Sequence, residues 1–368
     1  MKVTQLLGSL AALLLCLACG DNRIEEGPIK RSGQADVVSL DDDWRFIRYG
    51  LQADGTHVDE PAGMFEPATD DSDWETLDVP HDFAIKGPFR MDLAGNTGRL
   101  PFQGIGWYRK TFTVDEAAQG KRFYVDFDGV MANAQVWLNG EYVGTWPYGY
   151  NSFRLDLTPF IQVGKENLLA VRTDTEKWDS RWYPGAGIYR HVWLVKTGQV
   201  HVRHWGTKIE ATNLTDKTAD LHLTVEVENH LNEEAKAVVK TSVYELDSLD
   251  CLGKRVLRFD DQTLSLKAMS AGEINLQKRM DDCMRWDIES PNRYMACVTV
   301  QVDGQETDRY YTPFGVREIS VSREGFFLNG RRVEIKGVCN HHDLGALGAA
   351  FNRSALERQF RIMREMGC

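Results

Sequence analysis

The sequence predicts a mainly β protein: a jelly-roll sandwich over residues 36–199, an immunoglobulin-like sandwich over residues 200–318, and over residues 319–368 the first βα unit of a truncated TIM barrel. Three observations carry this. Period-two alternation of apolar and polar residues recurs from about residue 37 to residue 302, with no sustained helical spacing. Asn-Gly pairs at 139–140 and 329–330 sit between apolar-rich runs, the cue for tight hairpins, because both residue types tolerate positive φ. Helical spacing appears only at the end, at Leu356, Phe360 and Met363.

Taken in order, residues 1–19 read as a secretory signal. Met1-Lys2 gives a positive start, and residues 6–19 are apolar but too short to span a bilayer comfortably. The segment resembles a bacterial lipoprotein signal, with the small Ala18 before a lipidated Cys19; Leu15 before Cys16 fits less well. Lipidation at Cys19 would give the protein a lipid anchor to the membrane without embedding it. That places it in the periplasm or on the outer membrane; plain cleavage into the periplasm is the alternative. Residues 20–35 are polar, with Gly27-Pro28 and Ser32-Gly33, and read as a linker.

Within the first sandwich, residues 123–128 alternate Phe, Val, Phe against Tyr, Asp, Asp, the signature of a half-buried strand. Some 160 residues of short strands with Gly, Pro and Asp turns suit a jelly roll. In the second, residues 221–228 alternate over their whole length, and Val298, Val300 and Val302 repeat the pattern. No Cys-Trp-Cys spacing marks an antibody-type domain, so immunoglobulin-like describes architecture alone. Residues 333–338 then read as a strand, followed by a polar loop and a helix whose Ser354 and Glu357 have capping-box spacing, with Gly367 as its C-cap. A full barrel of eight such units takes about 250 residues. The unit here is therefore expected to be incomplete.

The chain of 368 residues has a formal net charge of −11, which argues against nucleic acid as a partner. Hydrophobic content of 42% and charged content of 26% are ordinary for a soluble globular protein. Ten tryptophans favour a carbohydrate ligand slightly, since sugars rest on flat aromatic faces. The odd set Cys251, Cys283, Cys297, Cys339 and Cys368 matches no zinc pattern; it allows one disulfide among the first three or buried thiols. Arg109, Lys110, Lys121 and Arg122 read as a solvated basic surface, and His81-Asp82 as a structural turn.

Local signatures now converge: Val79-Pro80-His81-Asp82-Phe83, Gly104-Ile105-Gly106-Trp107-Tyr108-Arg109-Lys110, residues 182–190, Phe314-Gly315-Val316-Arg317 and Phe327-Leu328-Asn329-Gly330. With the order of domains, they make the chain resemble the N-terminal portion of glycoside hydrolase family two, the β-galactosidase, β-glucuronidase and β-mannosidase group. Residues 337–345 are similar to a stretch of its secreted β-galactosidase-like members. The resemblance implies a retaining β-galactosidase acting on terminal β-galactosides, a carbohydrate substrate, and a sugar-binding role for the jelly roll. A β-glucuronidase or β-mannosidase, or a non-catalytic carbohydrate-binding protein, is the alternative; assembly as a homo-oligomer is compatible with each.

By motif, the resemblance places His341 beside the innermost sugar, with Asn340, His342 and Asp343 lining or supporting the same pocket. Neutral imidazole, amide and carboxylate groups suit hydroxyls that both donate and accept. Arg181, Trp182 and Gln103 fall where the family sends jelly-roll loops towards the active site, with Asp179 and Ser180 as alternatives in the same turn. A merely structural polar loop is the competing reading for residues 340–343, and metal binding a weaker one, since adjacent histidines seldom aim at one ion. The family's two catalytic glutamates fall on later barrel strands and its magnesium ligands beyond Cys368, so the resemblance allows magnesium in a full-length enzyme. No catalytic residue and no cofactor is therefore expected within these residues, and the chain alone is expected to be inactive.

Overall fold

The computed structural model describes Ile29 and residues 31–368. The signal, Cys16, Cys19 and the first part of the linker lie outside the described residues. Among those described, no helix is long and apolar enough to cross a membrane.

The protein is mainly β, built as sandwich-type sheets. In the first unit a seven-stranded sheet runs His57–Val58, Trp44–Leu51, Ile105–Thr113, Glu166–Asp174, Ala134–Leu138 and Glu141–Trp146, with Glu75–Leu77 also paired to Trp44–Leu51. The facing sheet runs Phe153–Asp156, Arg122–Phe127, Val192–Thr197 and Val37–Ser39. Trp44, Tyr108, Phe123, Phe127, Leu138 and Leu169 fill the space between, each fully buried. The Asn139-Gly140 hairpin forms as expected, with φ of 55° and 87°. The Asn139 side chain fastens the turn, donating to Asn167 Oδ1 at 2.9 Å and accepting from the Leu168 amide at 2.9 Å.

Two expectations fail in this unit for one reason: charged groups are covered by neighbours that composition does not reveal. The strand Arg122–Phe127 is buried on both faces, not one. Its Phe123, Val125 and Phe127 enter the core, while Asp126 on the other side binds Arg154 at 2.6 Å and also Arg31, and Tyr124 lies 3.2 Å from His201. Arg109, read as solvated, is buried: its guanidinium donates to Asp71 at 2.7 Å and to the carbonyls of Met64 and Glu66. Arg122 is half-buried against Asp156.

The second unit packs a six-stranded sheet on a three-stranded one, Val200–Thr212, Ala219–Asn229 and Ser270–Met280. Along Ala219–Asn229 burial alternates at every residue, as the sequence predicts, with Leu221, Leu223, Val225 and Val227 in the core. The six-stranded sheet recruits part of the expected linker: Gly33–Gln34 pairs with Gln305–Phe314, and the buried Gln34 amide donates to the Val202 carbonyl at 2.9 Å. Cys251 and Cys283 are free thiols, which removes every disulfide expected among Cys251, Cys283 and Cys297; Cys297 packs in a small core beside Tyr244 and Tyr311.

Beyond it, Ile319–Ser322, Gly325–Leu328 and Arg331–Val333 form a small antiparallel sheet, with Asn329 and Gly330 making its hairpin at φ of 51° and 75°. The strand expected over residues 333–338 stops at Val333. Residues 334–341 are exposed and join no ladder, since a parallel strand forms only between neighbours that satisfy its backbone. The helix Arg353–Glu365 forms, but Asn352 caps it in place of Ser354, accepting from the Ala355 amide at 3.0 Å. Gly367, at φ +89°, follows its end. A barrel-type βα unit is thus not formed among the described residues.

Candidate functional site

Three stretches meet on one side of the first sandwich. Strand Glu141–Trp146 runs into a Pro147, Gly149 loop that carries Tyr148 and Tyr150. After strand Glu166–Asp174 the chain passes through Trp178, Trp182 and Tyr189. The third stretch is residues 340–351.

Their contacts are ring against ring. His341 stacks on Trp182, with ring centres 5.1 Å apart and planes 30° from parallel. Trp182 Nε1 donates to the Tyr150 hydroxyl at 3.1 Å. His342 sits edge-on to Tyr150 at 5.5 Å and beside Tyr189 at 5.3 Å. Its Nε2 donates to the Pro184 carbonyl at 2.8 Å, which fixes the ring. Burial pushes the His342 pKa down, with Arg190 adding to the effect, against the opposing pull of that carbonyl.

Asp82 holds the third stretch in place. It is fully buried and accepts four hydrogen bonds: from the amides of Ala84 (3.0 Å), Ala186 (3.1 Å) and Ala349 (2.8 Å), and from the Tyr183 hydroxyl (2.6 Å). Burial pushes its carboxyl pKa up, while the four donors favour the ionised form. Gly185 and Gly348 flank it closely; a Cβ on either would collide with the carboxylate or with Ala349. Next to it, His81 Nδ1 meets the Tyr108 hydroxyl at 2.9 Å, and burial pushes its pKa down to about 4. The turn at His81-Asp82 is structural, as the sequence reads, yet it also positions residues 342–351.

A cavity of about 500 Å³ opens alongside, lined by Asn340, His341, His342, Tyr189, Arg190 and His191 among others. Asp128 also lines it but is committed to Arg31 and to Trp193 Nε1, each at 2.9 Å. Of the expected site residues, the structure brings together Asn340, His341, His342 and Trp182. Asp343 is half-buried next to them, and its carbonyl accepts from Gln359. Arg181 is exposed beside Trp182. Gln103 is not among the residues lining the cavity; its carbonyl accepts from Arg48 at 2.8 Å. Sequence reasoning missed Tyr150, Trp178 and Tyr189, though aromatics in a Pro- and Gly-containing loop were a usable signal.

Ring faces pack against the C–H faces of sugars, and imidazole nitrogens hydrogen-bond their hydroxyls. Magnesium fits poorly, because it demands near-octahedral oxygen ligands and the site offers mainly rings and imidazoles.

Comparison with known proteins identifies the two sandwich units. Residues 37–198 match the model for the sugar binding domain of glycosyl hydrolases family 2, and residues 200–317 match a second model of that family. A β-galactosidase from Bacteroides ovatus is 43% identical over 334 residues, covering 89% of this chain and 37% of the relative. A protein named as a putative β-glucuronidase, from Formosa agariphila, is 34% identical over 302 residues, covering 81% and 28%. The crystal structure of a family 2 member from Bacteroides cellulosilyticus superposes with a TM-score of 0.81 at 33% identity, over 90% of this chain and 42% of that one. The chain thus spans less than half the length of these relatives. From the two matched domains and their order, the chain belongs to glycosyl hydrolase family 2, corresponding to the N-terminal portion of its members.

Proposed function

We propose that this chain is the substrate-recognising portion of a retaining exo-β-galactosidase, with residues 319–368 leading into its catalytic barrel. The observation that carries this reading is the stack of His341 on Trp182, which sets an imidazole and an indole from two parts of the chain side by side. His341 contacts the sugar, with Asn340 and Asp343 beside it and Arg181 and Gln103 further out. His342, held by Pro184, Tyr150 and Tyr189, supports His341 from behind. The 43% identity to a β-galactosidase favours galactose over the glucuronic acid of the more distant relative.

Retention of configuration requires two carboxylates about 5–5.5 Å apart. Asp128, the carboxylate lining the cavity, is tied to Arg31 and Trp193, and by resemblance the family's two catalytic glutamates belong to later barrel strands. The expected result is that the purified chain turns over neither a chromogenic β-galactoside nor a β-glucuronide above background, whereas the same chain continued through a full barrel hydrolyses the β-galactoside. Turnover by the chain alone overturns the reading, and a preference for the glucuronide in the longer protein moves it to β-glucuronidase.

One observation favours a second reading, a non-catalytic glycan-binding role: Tyr148, Tyr150, Trp178 and Trp182 all belong to loops of the first sandwich, and Tyr148 is half-exposed. Glycan-array binding that survives deletion of residues 319–368 supports it; binding lost with that deletion supports a site needing His341. The reading also places the protein outside the cytoplasm on a Cys19 lipid anchor, so Cys19→Ala should abolish metabolic labelling with a fatty acid.

A further inference from the structure

Away from the ring cluster, His201, Glu228 and His230 converge so that one potential ligand atom from each lies within 4.8 Å of the others. Strand pairing puts them there. His201 stands directly opposite Glu228 in the ladder between Val200–Thr212 and Ala219–Asn229, and His230 follows Glu228 by two residues, just past the end of the strand. The imidazoles stack with centres 5.2 Å apart and planes 8° from parallel.

The two separations to Glu228 are near those of a coordination shell. His230 Nε2 lies 3.2 Å from Glu228 Oε2, and His201 Nε2 lies 3.7 Å from the same oxygen. A tetrahedral ion with bonds of about 2.0–2.2 Å sets its ligand atoms roughly 3.3–3.6 Å apart. His201 is also prepared for the task. Its Nδ1 donates to the Gly198 carbonyl at 3.1 Å, which puts the ring proton on Nδ1 and leaves a lone pair on Nε2. A backbone carbonyl on the far nitrogen is the usual way in which a metal-binding histidine is oriented. That lone pair now accepts from the Tyr124 hydroxyl at 3.2 Å, and Tyr124 in turn accepts from Arg122 Nε at 2.8 Å. Arg203 takes the other carboxylate oxygen, Glu228 Oε1, at 3.3 Å, leaving Oε2 to face the two imidazoles.

We propose that His201 Nε2, His230 Nε2 and Glu228 Oε2 bind one zinc-class transition-metal ion at the seam between the two sandwiches, with water as the fourth ligand. Two imidazoles and one carboxylate suit zinc, whereas magnesium and calcium prefer all-oxygen shells. On binding, the Tyr124 hydroxyl gives up His201 and turns to the bound water. The ion thereby fastens a strand of the first sandwich to the ladder that starts the second.

Cobalt(II) is the probe, added to the purified chain after chelator treatment. The expected result is one equivalent bound with the intense visible bands of a four-coordinate ion, displaced by zinc. Zinc, but not magnesium, should raise the melting temperature by roughly 5 °C at saturating excess. His230→Ala, at a half-buried position just beyond a strand, should weaken cobalt binding by roughly 100-fold or more and remove the thermal shift. His222→Ala, on the same strand face, should change neither, and a metal-free melting temperature matching the parent shows that His230→Ala is folded. A pale six-coordinate spectrum, or binding that survives His230→Ala, overturns the proposal.

Discussion

Residues 334–341 and residues 342–351 are consecutive in the chain and opposite in structure. The first stretch is exposed throughout, with Ile335 76% and Val338 52% accessible. The second is tied to the first sandwich by the His342–Pro184 bond, by the Ala349 amide on Asp82 and by the Phe351 amide on the Tyr189 carbonyl at 2.9 Å. The exposed stretch carries Ile335, Val338 and Cys339, yet joins no ladder and meets the first sandwich through the His341–Trp182 stack at its end. Apolar side chains order a backbone only when its N–H and C=O groups also find partners, and the first sandwich offers acceptors to one stretch alone.

The sharpest way to break this contrast is Asp82→Ala, which strands four buried donors at once. It should cost about 3–5 kcal/mol in denaturant unfolding and open residues 342–351 to limited proteolysis. A loss below about 1 kcal/mol would show that the anchor lies elsewhere. Next, Gly348→Ala drives a Cβ into Asp82 at a residue with φ +62°, and should cost about 1–3 kcal/mol while loosening the same segment.

His342→Ala should cost about 1–2 kcal/mol by removing one hydrogen bond and two ring contacts. The parent should add a pH signature. Because burial depresses the His342 pKa, its contribution is present above the ordinary imidazole pKa near 6.5 and is lost as pH falls below it. Amide exchange in residues 342–351, corrected for intrinsic rates, should therefore accelerate from pH 7.5 to pH 5.5 in the parent, and respond less to pH in His342→Ala. Smallest of all, Ile335→Ser should change stability by no more than about 0.5 kcal/mol. A large loss there would erase the distinction between the two stretches.

Much of the architecture is legible because it is local. Asn139-Gly140 and Asn329-Gly330 encode their turns through positive φ, and residues 221–227 encode a one-sided strand through strict alternation. What was misread depends on distant partners. Phe123 to Phe127 looked half-buried because Arg31, Arg154 and His201, which cover the outer face, come from elsewhere in the chain. Arg109 looked solvated because its acceptors lie about forty residues away, on irregular backbone between Met64 and Asp71. At the helix start, Ser354 and Glu357 had the right spacing, but Asn352 capped the turn before them. In the candidate site, Trp182 and His341 were named from motif resemblance. Tyr150 and Tyr189 went unnamed, because their relevance arises only when two loops and the last segment meet.

Asp82 is separated from Ala349 by 267 positions, yet three of its four donors lie within or beside the first sandwich. Three donors of that carboxylate pocket are thus in place without residues 342–351. The late segment then behaves as a tethered ligand for that pocket, held by the high effective concentration that the connection provides. A free peptide of the same sequence, lacking the tether, would compete with it only at concentrations comparable to that local value.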